Sequence, residues 1–183
     1  MEDPIGGHPT REQQLDVLVS VIDATAEPGD IILDLGCGSG YLAHLLFAKR
    51  SDVRYCGIDL KEEALAEARA RFEPLVGPAR AQFVQGDLND LESISLPWAL
   101  SDTRSHEGGA RFVCTVLTFH DLHDEQKPTV LRWMLQHLAR GDERSSYLLL
   151  YDRLRLTCAH LLPPSLWFLQ GSSHRGNSRF QLD

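Results

Sequence analysis

Ile31-Ile32-Leu33-Asp34-Leu35-Gly36-Cys37-Gly38-Ser39-Gly40-Tyr41 is an apolar run carrying one acid, then three alternating glycines, then the start of a helical pattern. A residue without Cβ tolerates positive φ and leaves space beside the backbone, so this segment reads as a strand-to-helix turn shaped for close approach of a ligand. Glycine punctuation also serves plain turns, and that alternative stays open on these residues alone. The spacing excludes two common nucleotide loops. A dinucleotide fingerprint G-x-G-x-x-G needs glycine at position 41, which is Tyr41, and no Gly-Lys-Ser/Thr follows for a phosphate loop. Asp34 would also set a carboxylate against a pyrophosphate at the helix N-terminus. A cofactor without phosphate fits better.

Two further acids stand at the ends of the next apolar segments. Asp52-Val53-Arg54-Tyr55-Cys56-Gly57-Ile58-Asp59 ends about 20 residues past the glycines, where α/β nucleotide sites place a ribose-binding carboxylate. Ala81-Gln82-Phe83-Val84-Gln85 runs into Gly86-Asp87-Leu88. An Asp at a strand end can also simply cap the next helix. Taken in order, however, Asp34 with G-x-G-x-G, then Asp59, then Gly86-Asp87 resemble the class I (Rossmann-like) S-adenosylmethionine-dependent methyltransferase family. The resemblance covers about residues 10 to 152. It implies S-adenosylmethionine as cofactor, held by Asp34, Gly36, Cys37, Gly38, Gly40, Asp59, Leu60, Gly86, Asp87, Leu88 and Thr118, with Asp59 on the ribose hydroxyls and Asp87 on the adenine amino group.

Strand and helix signals alternate along the chain, so the expected fold is α/β: a doubly wound, mainly parallel sheet with helices on both faces. Thr10 to Ala24, Tyr41 to Lys49 and Lys61 to Phe72 read as helices, the last ended by Pro74. Arg111 to Thr118 is the fourth strand, and the next helix is expected to open near Leu122 or His123. Pro128 to Ala139 carries Val130, Leu131, Met134, Leu135 and Leu138 at helical spacing, and Tyr147 to Asp152 is the fifth strand. Between the third and fourth strands, residues 86 to 110 form a long polar insertion. A functional loop and an indifferent one both fit it.

Ligands of such sheets sit outside the carboxyl ends of the strands, which makes Thr118, Phe119 and His120 the residues nearest the expected chemistry. His120 is the candidate catalytic residue, because imidazole ordinarily titrates near neutrality and can take a proton from an acceptor hydroxyl or amine. Structural hydrogen bonding and acceptor positioning are the alternatives. His120-x-x-His123 lacks further ligands at zinc-like spacing, so no metal is expected. Neither Asn-Pro-Pro-Tyr nor Asp-Pro-Pro-Tyr follows the fourth strand, and within the family resemblance that disfavours methylation of base amino groups.

The 183 residues suit one domain, 43% hydrophobic and 24% charged. A net charge of -8 opposes a large nucleic-acid footprint and favours a small-molecule acceptor. Cys37, Cys56, Cys114 and Cys158 show no C-x-x-C spacing, as expected of reduced thiols in the cytoplasm. Met1 to Thr10 lacks a signal-peptide pattern, and no apolar run is long enough for a membrane helix. The domain is expected to span 1–162. The family's terminal strands are not evident: Leu161 to Leu169 reads as a short helix or partner contact, and 163–183 as an irregular tail. A missing sheet closure keeps open a second reading, a catalytically silent methyltransferase-like module. The methyl-accepting atom, oxygen, nitrogen or carbon, is not fixed by the sequence.

Overall fold

A computed structural model describes residues 11–97, 109–140, 144–152 and 166–171, the last segment through its backbone. Apolar runs form β1 (Ile31–Leu35), β2 (Arg54–Asp59), β3 (Ala81–Gln85), β4 (Phe112–Val116) and β5 (Ser146–Tyr151). The helices are α1 (Arg11–Thr25), α2 (Tyr41–Lys49), α3 (Glu62–Val76) and α4 (Lys127–Gln136). A sixth strand, β6 (Leu166–Gly171), follows. The sheet order is β3-β2-β1-β4-β5-β6, parallel through β5, with β6 antiparallel at the edge. Order reverses between β1 and β4, the switch point at which open α/β sheets bind ligands. One core layer packs Leu15, Leu18, Ile22, Leu46 and Phe72 onto the sheet; the other packs Val130 and Met134 against Leu33, Leu35 and Val113. No helix among the described residues is long and apolar enough to cross a membrane.

Three expectations are corrected. Pro74 does not end α3, which continues to Val76. The proline removes one hydrogen bond in the last turn, and Gly77, at φ 73°, closes the helix by donating to the Glu73 carbonyl. The helix after β4 opens at Lys127 rather than near Leu122, because Pro128 suits a first turn, while Phe119–Asp121 forms a separate 3-10 turn. Third, the stretch read as a short helix and loose tail contains β6, with Tyr151 opposite Leu166 and Ser146 opposite Gly171. The sheet therefore extends past residue 162, and one antiparallel strand is present where none was expected. Residues 98–108 of the insertion, 1–10, 153–165 including Cys158, and 172–183 lie outside the described residues.

At the amino ends of the strands, Arg144 pairs with Asp30 at 2.7 Å and with Glu27 at 3.1 Å. Arg111 lies 3.7 Å from Asp30 and donates to the Ser146 hydroxyl. This cluster ties the amino ends of β1, β4 and β5 together and leaves the carboxyl ends to form the site.

Candidate functional site

A cavity of about 640 Å³ opens at the carboxyl ends of the parallel strands, within the roughly 300–1,000 Å³ usual for cofactor sites. Of the eleven cofactor residues expected from sequence, nine line it: Gly36, Cys37, Gly38, Asp59, Leu60, Gly86, Asp87, Leu88 and Thr118. Lys61, Glu63, Glu67, Asn89, Leu117 and Asp121 also line it and were not singled out beforehand.

The loop is held from several sides. Gly36 and Cys37 donate their N–H groups to the Ile58 carbonyl at 2.7 and 3.0 Å, and Arg71 donates to the Ser39 carbonyl at 2.6 Å. Gly36 sits at φ 76°, and a Cβ there would lie 2.6 Å from Thr118 Cβ and overlap its hydroxyl. Thr118 Oγ1 is 3.1 Å from the Val116 carbonyl and 3.3 Å from that of Gly36. Its hydroxyl therefore braces the loop. The brace depends on Leu117, a buried leucine at φ 52°. A left-handed backbone costs a non-glycine residue about 1–2 kcal/mol, and here it turns the chain from β4 toward the glycine loop.

Asp59 faces the loop from the end of β2. Its Oδ2 accepts the Gly38 N–H at 2.7 Å and its Oδ1 the Lys61 N–H at 2.9 Å. Asp87 Oδ1 accepts the Asn89 N–H at 2.8 Å and its side-chain amide at 3.2 Å. Its Oδ2 has no partner among the described residues. A Cβ at Gly38 would meet nothing within 4 Å, so the loop leaves open space there.

Two expected residues do not reach the cavity. Asp34 is 2% exposed, and its Oδ2 accepts the Tyr55 hydroxyl at 2.5 Å. It lies within β1, opposite Gly57 and Cys114, so its carboxylate points into the layer behind the loop. Gly40 instead begins α2 at φ 78°, where a Cβ would meet Phe72 at 2.7 Å; its role is packing. Burial, reinforced by Asp34 and then Asp59, pushes the Cys37 thiol well above its ordinary ionisation range. Cys37 thus lines the site as a neutral thiol rather than a nucleophile.

His120 is not part of the cavity lining. It occupies the 3-10 turn after β4, with its side chain 17% exposed and bound to Asp152, whose side chain is 8% exposed. Nδ1 lies 2.5 Å from Asp152 Oδ1, and the His120 N–H donates to Oδ2 at 3.0 Å. On the other side of the ring, Nε2 is 3.4 Å from Oδ1 of the cavity-lining Asp121. The sequence reading missed the role of Asp152; its signal was an acid just past the end of β5, the pattern already seen at Asp59. His123 donates its backbone N–H to Asn89. Among the described residues no cluster of three or more His, Cys, Asp or Glu is suited to a metal.

The methyltransferase-domain family model matches residues 32–141. The chain is 35% identical over 79 residues to a glutathione S-transferase C-terminal domain-containing protein of Xenopus laevis, covering 43% of this chain and 13% of that protein. It is 40% identical over 68 residues to ribosomal protein L11 methyltransferase of Burkholderia mallei, covering 37% and 21%. A solved methyltransferase from Geobacter sulfurreducens, in complex with S-adenosyl-L-homocysteine, superposes at TM-score 0.56 with 19% identity, over 84% of this chain and 55% of that one. The chain thus spans a small part of these curated relatives and about half of the solved neighbour. With the family model matching more than half of its length, and with the glycine loop and strand order of the class I fold, this chain belongs to the methyltransferase-domain family.

Proposed function

We propose that this chain binds S-adenosylmethionine in the cavity beside β1 and β4 and transfers its methyl group to a small-molecule acceptor. The observation that carries the reading is the Asp59 carboxylate at the end of β2, hydrogen-bonded to Gly38 at the edge of the open space beside the glycine loop. Each of its oxygens already accepts one loop amide, and a carboxylate oxygen can accept a second hydrogen bond, so both can also take ribose hydroxyls. The Asp87 Oδ2 is available to the adenine amino group, and Leu60 and Leu88 offer apolar walls. Among the described residues, five carboxylates, Asp59, Glu63, Glu67, Asp87 and Asp121, line the cavity against one cation, Lys61. That donor set suits a cationic nucleoside and opposes a pyrophosphate. The homocysteine product held by the Geobacter neighbour supports the same choice. The cofactor supplies an electrophilic methyl on a sulfonium, and the chain's residues contribute alignment and proton removal. The net charge of -8 and the acidic lining support a small acceptor over nucleic acid, and the buried thiols suit the cytoplasm.

Calorimetry with S-adenosylmethionine, S-adenosylhomocysteine and NAD tests the reading. The first two bind and NAD does not. Asp59→Ala weakens binding by about 1–3 kcal/mol, the cost of leaving polar partners unpaired. Thermal unfolding without ligand separates lost ligand contacts from damage to the loop amides. Equal affinity of wild type and variant removes the ribose assignment, and absence of binding to either ligand overturns the function.

A further inference from the structure

The His120–Asp152 pair lies beside the cavity without lining it, and the nucleoside-binding residues make no use of it. Asp152 accepts from both the backbone and the ring of one residue, fixing the imidazole in position and in rotation. A carboxylate accepts and does not donate, so the contact at Nδ1 requires the proton to reside there and leaves the Nε2 lone pair unprotonated in the neutral ring. Nε2 lies on the side of Asp121, which is part of the cavity wall near Leu117 and Thr118. The other cavity carboxylates described above belong to β2, α3 and the turn after β3. Asp121 and Asp152 are thus the charged groups that face this ring among the described residues.

We propose that Asp152 is a positioning residue that holds His120 with Nε2 as proton acceptor beside the Asp121 wall of the cavity, so that the acceptor is a protic nucleophile, an alcohol, phenol or amine. The inference rests on the cofactor reading given above. In the transfer, an acceptor lone pair forms the bond to the methyl carbon, the C–S electron pair stays on sulfur, and the acceptor proton passes to His120 Nε2. The imidazolium formed is stabilised by the Asp152 carboxylate at Nδ1. An anionic acceptor oxygen needs no base and would meet the carboxylate of Asp121.

Long-range ¹H–¹⁵N NMR of the full chain, with labelled histidine, tests this without a known acceptor. In wild type, His120 is the Nδ1–H tautomer. Exchange of bound S-adenosylhomocysteine for S-adenosylmethionine adds one positive charge, and at fixed pH the His120 Nε2 resonance then differs between the two complexes if the ring faces the sulfonium. A ring that serves only to tie β4 to β5 gives the same ring-nitrogen resonances with both ligands. Asp152→Asn sets an amide where only an acceptor fits, and the favoured tautomer becomes Nε2–H, with cofactor affinity retained within about threefold by calorimetry; a comparable Asp-to-Asn change in the serine protease triad lowers turnover about 10⁴-fold. An Nε2 resonance indifferent to the sulfonium, or an Nε2–H tautomer in wild type, overturns the inference while the cofactor reading stands. Failure of both ligands to bind overturns the cofactor reading instead. The wild-type comparison needs no variant, so a misfolded Asp152→Asn protein does not prevent a decision.

Discussion

At the scale of single residues, the site depends on contacts that leave no room for added atoms. Gly36 carries both constraints at once, a left-handed backbone and the Thr118 side chain where a Cβ would stand. Gly36→Ala therefore costs at least about 1–2 kcal/mol from the backbone alone, and the overlap with Thr118 adds to it. Thr118→Gly in the same chain removes the overlapping atoms but leaves the backbone strain, so the two changes are not additive. Urea unfolding of both single variants and the double variant checks this; strict additivity would show that Thr118 does not press on the loop. The placement of Gly36 and Asp59 in the cavity wall is legible from sequence because both stand at strand ends. Asp34 was not, since an acid inside an apolar run looks the same whether it meets a ligand or a buried hydroxyl. What decides it is Tyr55, brought alongside by the parallel pairing of β1 with β2.

At the scale of elements, alternation of apolar strands and helical patterns was enough to locate β1 to β5 and α1 to α3 within a few residues. The exceptions have local causes. An apolar run such as that in β6 does not distinguish helix from strand, because neither a period of 2 nor one of 3.6 shows in Leu166-Trp167-Phe168-Leu169. Its state is set by β5, which offers it a free edge for antiparallel pairing along six residues. The His120–Asp152 pair was hidden for a similar reason: it depends on β4 and β5 being neighbours, which the sequence implies but does not measure. The paired backbone of β6 has a direct consequence. A chain ending at residue 165 exposes the β5 edge and aggregates or self-associates, whereas in the full chain amides of 166–171 that bond to β5 exchange slowly. Size-exclusion chromatography of the truncated chain and hydrogen exchange of the intact one check both statements. Rapid exchange through 166–171 would detach β6 from the sheet.

At the scale of the whole molecule, the buried layer behind the glycine loop couples stability to alkaline pH. Cys37 and Cys114 are buried there and Cys56 in the layer on the other face of the sheet, and burial, reinforced by Asp34, pushes each thiol upward from 9.0, Cys56 to about 12. Tyr55 is raised well above 10.0 in the same way, by burial first and Asp34 second. The unfolded chain loses these protons at lower pH than the folded one, so above pH 9 it binds fewer protons and unfolding becomes more favourable as pH rises. The protonated groups' contribution is complete below pH 9 and is lost on the way to their folded values. Each such group steepens the decline by about 1.4 kcal/mol per pH unit, and for Cys56 the window runs from 9.0 to about 12. Urea midpoints measured between pH 7 and pH 11 should therefore be flat to about pH 9 in these groups' contribution and fall beyond it. Cys56→Ala lowers stability at pH 7 through the small cavity it leaves, yet shows a shallower decline above pH 9, because one proton has been taken out of the linkage. A variant whose alkaline slope matches that of wild type would mean that Cys56 ionises alike in both states, and that the core layer around Cys56 admits water.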